Sequence, residues 1–311
     1  MKTNISLILI LCLLLGACKN GNASSQSKSE TPQDTIKAIK MPAIPQMMTA
    51  PEQRADFLAK HYWDNVNFAD TNYIHHPEVT EQAWADYCDL LNHVPLETAQ
   101  QAMRNVIDRT NVDKKVFTYI TDLADKYLYD PNSPMRNEEF YIPVLEAMIA
   151  SPVLNETEKI RPQARLKLAQ KNRIGTKALN FTYTLASGAQ GSLYQLKAEY
   201  LLLFINNPGC QACTETIEGL KNAPIINQLL QEKKLVLLPI YPDEELDEWK
   251  KHLSEFPNEW INGYDKKFTI KEEQVYDLKA IPTLYLLDKD KTVLLKDATA
   301  PAIEAYLMQH Q

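Results

Sequence analysis

The chain has 311 residues, of which 45% are hydrophobic, and it carries a formal net charge of −7. An acidic chain is a poor candidate for binding nucleic acid or an anionic lipid surface, so we predict no nucleic-acid partner. Beyond the first residues no apolar run is long enough to cross a bilayer, and the length suggests two domains.

The first residues have the pattern of an export signal. Lys2 gives a positive start, and Ile5 to Leu15 form an apolar segment that is too short to span a bilayer as a mature helix. The segment ends in Leu15-Gly16-Ala17-Cys18, which resembles the lipobox of bacterial lipoproteins. The resemblance implies removal of residues 1–17 and attachment of lipid to Cys18. The alternative is an ordinary signal peptide that leaves this cysteine unmodified.

A lipid on Cys18 would anchor the protein in the bacterial cell envelope, facing the periplasm, without a span through the membrane. Lys19 follows the cysteine where the enteric sorting rule places Asp for inner-membrane retention, so the outer membrane is favoured over the inner. Residues 18–44 are predicted to form a disordered tether, because small polar residues dominate them and cannot bury a core.

Residues 45–174 are predicted to form an all-helical domain. Apolar residues recur at helical spacing, Thr49 and Thr80 are the expected starts of the first two helices, and Pro131 and Pro134 interrupt the run. The other helical segments are 99–107, 116–127, 140–150 and 157–170. The region resembles the helical region of unassigned function that precedes thioredoxin-like domains in some bacterial lipoproteins, and this resemblance names no activity.

Cys88 shares an apolar helical stripe with Trp84 and Leu91. We interpret it as a small buried hydrophobe, with a third redox cysteine as the alternative. The adjacent residues His75 and His76 lack cysteine or carboxylate partners at ligand spacing, so no metal site is predicted there.

Residues 175–311 alternate strand and helix patterns, which indicates an α/β domain with a central mixed sheet. Tyr200 to Ile205 is an almost unbroken apolar run, as expected for a strand that is covered on both faces. Leu235 to Tyr241 is a further strand, and Pro239 within it predicts that the strand lies at an edge or ends early, because proline cannot donate to a ladder. The remaining predicted elements are two hairpins, 181–186 with 192–196 and 284–287 with 293–295, and helices at 210–220, 244–255 and 301–309.

A cysteine pair gives this region its chemistry. Cys210-Gln211-Ala212-Cys213 opens a predicted helix, where free N–H groups and the helix dipole favour a thiolate. Cys210 is therefore the expected nucleophile, and Cys213, one turn deeper, is expected to be shielded and to resolve a mixed disulfide. The alternative is half of a zinc site, which needs two more ligands, and the domain offers only His252 and His310. We predict no metal and no cofactor.

Ile281-Pro282-Thr283 follows the cysteine pair and directly precedes a predicted strand. With the cysteine pair and the order of elements, this motif resembles the TlpA and ResA branch of the thioredoxin superfamily over residues 175–311. The resemblance implies a cis peptide bond before Pro282 that faces the cysteine pair. The substrate-binding residues that it implies are Ile281, Pro208 and Gly209. It also implies a thiol–disulfide oxidoreductase whose partners are disulfide-bearing envelope proteins and a membrane thiol electron donor.

The chain departs from this branch at the positions where a carboxylate is expected to handle protons. Phe204 stands where thioredoxin has a buried Asp, and Thr216 stands where ResA-like proteins have a Glu. Glu215 and Asp243 are candidate substitutes, but we interpret both as solvated surface charges. The alternative function is therefore a lipid-anchored partner-binding module with a weakly active thioredoxin-like scaffold. The uncharged pair Gln211-Ala212 favours a mildly reducing or isomerising protein over a strong oxidant.

Overall fold

The ordered contacts of the chain begin close to the first residue that the structure describes. The structure is a computed structural model that describes residues 38–310, so the predicted signal peptide, lipidation at Cys18 and most of the tether lie outside the described residues. Ile39 packs against the helical core, and the Lys40 carbonyl accepts a hydrogen bond of 2.9 Å from the Asn65 side chain. The residues predicted to end the tether are thus in contact with the helices.

The first part of the described chain is helical, as predicted. Asp113 and Asn137 cap helices by accepting hydrogen bonds from first-turn N–H groups, and Asn155 and Glu158 form a capping box. The helices are α1 (Pro51–His61), α2 (Pro77–Leu91), α3 (Leu96–Arg109), α4 (Lys114–Ala124), α5 (Glu138–Ala150) and α6 (Glu156–Ala169).

Two helix starts differ from the predicted ones. Helix α1 begins at Pro51 and α2 begins at Pro77, whereas the predicted starts were Thr49 and Thr80. Proline suits the first helical position because its missing N–H group has no partner there in any case and its φ angle is already helical. The prolines therefore determine both starts more strongly than the threonine side chains do.

Aromatic residues fill the centre of the helical core. Trp84 and Tyr87 are at most 1% exposed, and the Trp63 ring lies 5.6 Å from the Tyr87 ring in an edge arrangement. Cys88 is 1% exposed in the same core, and burial raises the pKa of its thiol to about 12. The interpretation of Cys88 as a small buried hydrophobe is confirmed.

A mixed sheet forms the second part of the described chain, again as predicted. Its strands are β1 (Thr182–Leu185), β2 (Gln190–Ser192), β3 (Tyr200–Ile205), β4 (Leu235–Tyr241), β5 (Gly263–Tyr264), β6 (Thr283–Asp288) and β7 (Val293–Lys296). The strand order is β2-β1-β5-β4-β3-β6-β7, with β3 parallel to β4 and antiparallel to β6. The helices of this part are α7 (Gln211–Lys221), α8 (Pro224–Gln231), α9 (Leu246–Lys251), α10 (Thr269–Glu272) and α11 (Ala300–Gln309).

Both alternatives predicted for β4 are wrong, because the strand lies between β3 and β5 and continues past the proline to Tyr241. The Ile240 carbonyl points toward β3, where it accepts a hydrogen bond from the Asn206 N–H group. Pro239 therefore directs its missing donor toward β5. That strand pairs with β4 only at Ile240 and Tyr241, so no ladder bond is lost at the proline.

The other differences between the predicted and the observed secondary structure concern short elements. The second strand of the first hairpin was predicted at 192–196, but β2 is Gln190–Ser192 and a 3₁₀ turn follows at Leu193–Gln195. The helix predicted at 244–255 is divided into α9 and a 3₁₀ turn at Leu253–Glu255. Helices α8 and α10 and the two-residue strand β5 were not predicted.

Both faces of the sheet are covered, which explains the continuous apolar run of β3. Leu202 and Phe204 pack with α7, α8 and α11, whereas Leu201 and Leu203 pack on the opposite face with Tyr276. The described residues all belong to one unit, Ile36–Gln311, as judged by internal contacts. Within residues 38–310, no helix combines the length and the apolar character needed to cross a membrane.

Candidate redox site

The site begins where β3 ends and the chain turns into α7. The turn passes through Gly209, whose φ of +69° lies in the left-handed region that favours glycine. Cys210 is the N-cap residue of α7, and its sulfur accepts a hydrogen bond of 3.3 Å from the Cys213 N–H group. The helix therefore points its free N–H groups at the sulfur that was predicted to be the nucleophile.

The two cysteines differ in exposure. Cys210 is partly exposed, whereas Cys213 is buried at 2% exposure on the inner side of α7. Burial, with a further contribution from the hydrogen bond to Cys210, raises the pKa of the Cys213 thiol to about 12, and a backbone hydrogen bond from Asn207 opposes the shift. Cys213 is therefore held as a protonated thiol behind the outer sulfur.

The Ile281–Pro282 segment faces the outer cysteine. The peptide bond before Pro282 is cis, as the family resemblance implied. The Cys210 thiol lies 3.8 Å from the Ile281 carbonyl oxygen and donates to it. The Thr283 hydroxyl donates a hydrogen bond of 2.6 Å to the Ala280 carbonyl, which ties the two sides of the cis bond together. Residues that are 71 positions apart in the sequence thus meet at one sulfur atom.

The loop before Cys210 is open to solvent. Pro208 is partly exposed and Gly209 is exposed, so these two of the three residues predicted for substrate binding lie at the surface close to Cys210 in the chain. A cavity of about 350 Å³ opens next to Pro208, and acidic side chains make up much of its wall. Its lining is Asn207, Pro208, Tyr241, Asp243, Glu244, Glu245, Glu248 and Lys271.

The two positions without the family's carboxylates are occupied by groups that cannot take up a proton. Phe204 is fully buried in the sheet, and the Thr216 hydroxyl donates 2.8 Å to the Ala212 carbonyl within α7. Glu215 is exposed and accepts a hydrogen bond of 2.9 Å from the Gln211 side chain. Its interpretation as a surface charge agrees with this position.

Asp243 was predicted to be a solvated surface charge, but two neighbouring side chains hold it in place. It is partly buried, accepts 3.1 Å from the Asn207 side-chain amide and pairs with Lys271 at 2.6 Å. Asn207, which also bonds Cys213 through its backbone, was missed by the sequence analysis. The sequence offered one indication that Asn207 belongs to the site, namely its position immediately before Pro208. Among residues 38–310, no group of three or more His, Cys, Asp or Glu side chains is arranged to hold a metal ion.

Comparison with known proteins gives two family matches. A model described as a domain of unknown function (DUF5106) matches residues 17–172, half of the chain, and a model described as thioredoxin-like matches residues 198–293. No curated protein is significantly similar to the chain.

Solved structures add a relative that extends over most of the chain. A thioredoxin-like protein from Bacteroides caccae is 83% identical, covers 89% of this chain and 100% of its own, and superposes with a TM-score of 0.87. The C-terminal domain of an uncharacterized protein from Bacteroides fragilis is 69% identical, covers 44% of this chain and 98% of its own, and has a TM-score of 0.44.

The thioredoxin-like match includes both cysteines and the cis peptide bond, and the match to the domain of unknown function includes all six helices of the first part. Identity of 83% over 89% of the chain is far above the level at which proteins share a fold and a family. The chain therefore belongs to the thioredoxin-like proteins, with a domain of unknown function (DUF5106) ahead of its cysteine pair.

Proposed function

We propose that the protein is a thiol–disulfide oxidoreductase that reduces or isomerises disulfides of other envelope proteins. One observation carries the proposal: the partly exposed Cys210 sulfur caps α7 and contacts the Ile281 carbonyl at 3.8 Å, while Cys213 is buried behind it. An outer and an inner sulfur at a helix start provide the two successive nucleophiles that disulfide exchange requires.

In the first step, the Cys210 thiol loses its proton to the solvent, and the resulting thiolate attacks one sulfur of a substrate disulfide. The substrate S–S bond breaks, a new S–S bond joins Cys210 to the substrate, and the leaving sulfur departs as a thiolate that takes up a proton. The N–H group of Cys213 points at the attacking sulfur, so the helix start can stabilise its negative charge without rearrangement.

In the second step, Cys213 gives up its proton to the solvent or to the released thiolate and attacks the Cys210 sulfur. The Cys210–Cys213 disulfide forms, and the second substrate sulfur leaves as a thiol. The substrate has then gained two electrons and two protons, and the protein has lost them. A membrane thiol donor is the proposed source of electrons for the next cycle. If the released substrate thiolate attacks a different substrate disulfide first, the result is isomerisation.

The proposed substrate is an extended peptide segment that carries a disulfide. The backbone of Ile281 and the exposed loop at Pro208 and Gly209 border the Cys210 sulfur, so a strand laid across them would bring its disulfide to the nucleophile. The proposed location is the periplasmic side of the cell envelope, with a lipid on Cys18 as the anchor, because the sequence around this cysteine resembles a lipobox.

Substitution of the outer cysteine tests the proposal. Cys210→Ser should abolish the reduction of insulin disulfides by the purified protein with dithiothreitol as the electron source. Cys88→Ala is the matched control, because this cysteine is buried in the helical core, and the variant should retain activity. Full activity of the Cys210→Ser variant would refute the proposal.

The alternative function is a partner-binding module whose thioredoxin-like part has little activity. The absence of an acid at Phe204 and Thr216 favours it, since neither side chain can relay a proton from Cys213. A Cys210→Ser/Cys213→Ser variant that restores a deletion strain as well as the natural protein does would favour this alternative. Loss of function in the same variant would favour the oxidoreductase.

A further inference from the structure

A buried cluster of charges joins the helical part to the segment that precedes the cis peptide bond. The Lys279 ammonium group lies 3.0 Å from a Glu138 oxygen and 3.2 Å from one oxygen each of Asp277 and Asp297. Lys296 forms a second ion pair with Glu138. The five side chains are 6% to 11% exposed, so water screens these charges only weakly.

The members of this charge cluster come from three places in the fold. Glu138 is the first residue of α5, Asp277 and Lys279 precede the cis bond, and Lys296 and Asp297 lie at the end of β7. The Lys279 N–H group also donates 3.0 Å to Asp277, which fixes the turn between them. Of the five residues, Glu138 alone belongs to the helical part, so it is the residue through which the helical part pairs with the Lys279 charge.

The cluster determines where the Lys279 side chain lies. Burial acts to lower the pKa of Lys279, but the carboxylates of Asp297, Glu138 and Asp277 outweigh it and hold the pKa above its usual range. The lysine therefore stays charged, and a buried charge remains where its partners are because separation would leave it unpaired. The Tyr129 ring, also from the helical part, lies 5.2 Å from the ammonium group.

The position of Lys279 is transmitted to the redox site over a short distance along the chain. Ile281, two residues later, is the residue whose carbonyl contacts the Cys210 thiol at 3.8 Å. Between them, the Ala280 carbonyl is held by the Thr283 hydroxyl at 2.6 Å, so the segment has few alternative conformations.

We propose that Glu138 holds the Ile281–Pro282 segment against Cys210 through Lys279, and that the DUF5106 domain thereby positions the peptide-binding edge of the site. The inference rests on the proposed function, because it assumes that Ile281 binds substrate. Glu138 and Lys279 are positioning residues, since they act through Ile281 and not on the reacting sulfur atoms.

Two disulfides of different size test the inference on the purified chain without its predicted signal peptide and lipidated cysteine, residues 19–311. Insulin presents peptide backbone to Ile281, whereas dithiobis(nitrobenzoate) needs only the Cys210 sulfur. The variant is Glu138→Gln. Its matched control is Glu139→Gln, the next residue of α5, which breaks a comparable ion pair with Arg173 that does not reach Lys279.

In Glu138→Gln, the KM for insulin should rise by about tenfold, the size expected from the loss of one well-placed hydrogen bond, while kcat stays within about twofold. The rate with dithiobis(nitrobenzoate) should also stay within about twofold. Glu139→Gln should leave all three values unchanged. An unchanged KM for insulin in a folded Glu138→Gln variant would overturn the inference. An equal fall in the reaction rate with both disulfides would overturn it as well.

Amide hydrogen exchange provides a measurement that does not depend on activity. Peptides that contain residues 278–284 should exchange faster in Glu138→Gln than in the natural protein, and no faster in Glu139→Gln.

Failure of the proposed function can be told apart from failure of this inference. If the natural protein reduces neither disulfide, the proposed function fails, while hydrogen exchange still shows whether Glu138 positions the segment. If Glu138→Gln does not fold, Glu138→Asp, which keeps the charge but withdraws it by one methylene, should show the same changes at smaller size. No change in exchange would reject the link.

Discussion

At the scale of residues, the two cysteines have the same side chain but differ in exposure, and this difference gives them different expected roles. Cys210 reaches the surface and accepts a hydrogen bond from the N–H group of Cys213, whereas Cys213 is 2% exposed. A thiol that must lose its proton inside the protein is slow to react unless a base is near. Phe204 and Thr216 provide none, so the deprotonation of Cys213 should limit the second step of exchange.

This limit predicts a pH dependence for the second step. Because the pKa of Cys213 is raised to about 12, its thiolate fraction should grow about tenfold per pH unit from about pH 6 to about pH 9. The rate at which Cys213 resolves a mixed disulfide with glutathione should rise with the same slope. Acid quench and mass spectrometry of the adduct measure this rate, and adduct formation in Cys213→Ser isolates the first step. A resolution rate that does not change with pH would contradict the argument.

At this scale, the sequence could reveal the parts of the site that depend on local motifs, but not its long-range contacts. The cysteine spacing and the Ile281-Pro282 motif are local signals, and the structure brings them together at 3.8 Å. The contact of Asn207 with Asp243 and that of Lys279 with Glu138 join residues 36 and 141 positions apart. No spacing rule links such pairs, because each depends on the packing of separate elements.

At the scale of elements, α7 is capped by the residue proposed as its nucleophile. The Cys210 sulfur accepts from the Cys213 N–H group, as a Ser or Asn oxygen does at an ordinary helix start. Stability and activity can therefore be separated at this single position.

The reduced Cys210→Ala variant should be less stable than Cys210→Ser by about 1 kcal/mol, because serine can cap the helix and alanine cannot. Both variants should lack disulfide exchange. Urea unfolding under reducing conditions measures the difference, and equal slopes of the two transitions would show that the unfolded states are comparable. Equal stability of the two variants would mean that the sulfur does not act as a cap.

Element prediction succeeded where the pattern was long and failed where it was short. The apolar run of β3 and the helical stripes of the first part predicted their elements within a few residues. Strand β5 has two residues and α10 has four, too few for any period to show. Pro239 misled the prediction for β4, because its consequence depends on the length of the neighbouring strand, which the sequence of β4 does not contain.

At the scale of the whole molecule, the charges that line the cavity beside the redox site are mostly negative, and negative charge does not favour a thiolate. The two residues between the cysteines are uncharged, and Lys279 of the Glu138–Lys279 cluster lies two residues before Ile281 in the chain. Glu215 is exposed, so water screens it. The N–H group at the start of α7 is the main stabilising contact on the Cys210 sulfur in the described residues.

We therefore expect a reduction potential for the Cys210–Cys213 pair between about −270 mV, as in thioredoxin, and about −180 mV, as in protein disulfide isomerase. Strong oxidants stabilise the thiolate of the reduced pair with a neighbouring positive charge, and the two residues between these cysteines supply none. Equilibration of the purified protein with glutathione, followed by thiol alkylation and mass spectrometry, measures the value. Glu139→Gln should share it, because its ion pair with Arg173 lies outside the site. A potential near −120 mV would identify an oxidant and overturn the assignment of a reducing or isomerising protein.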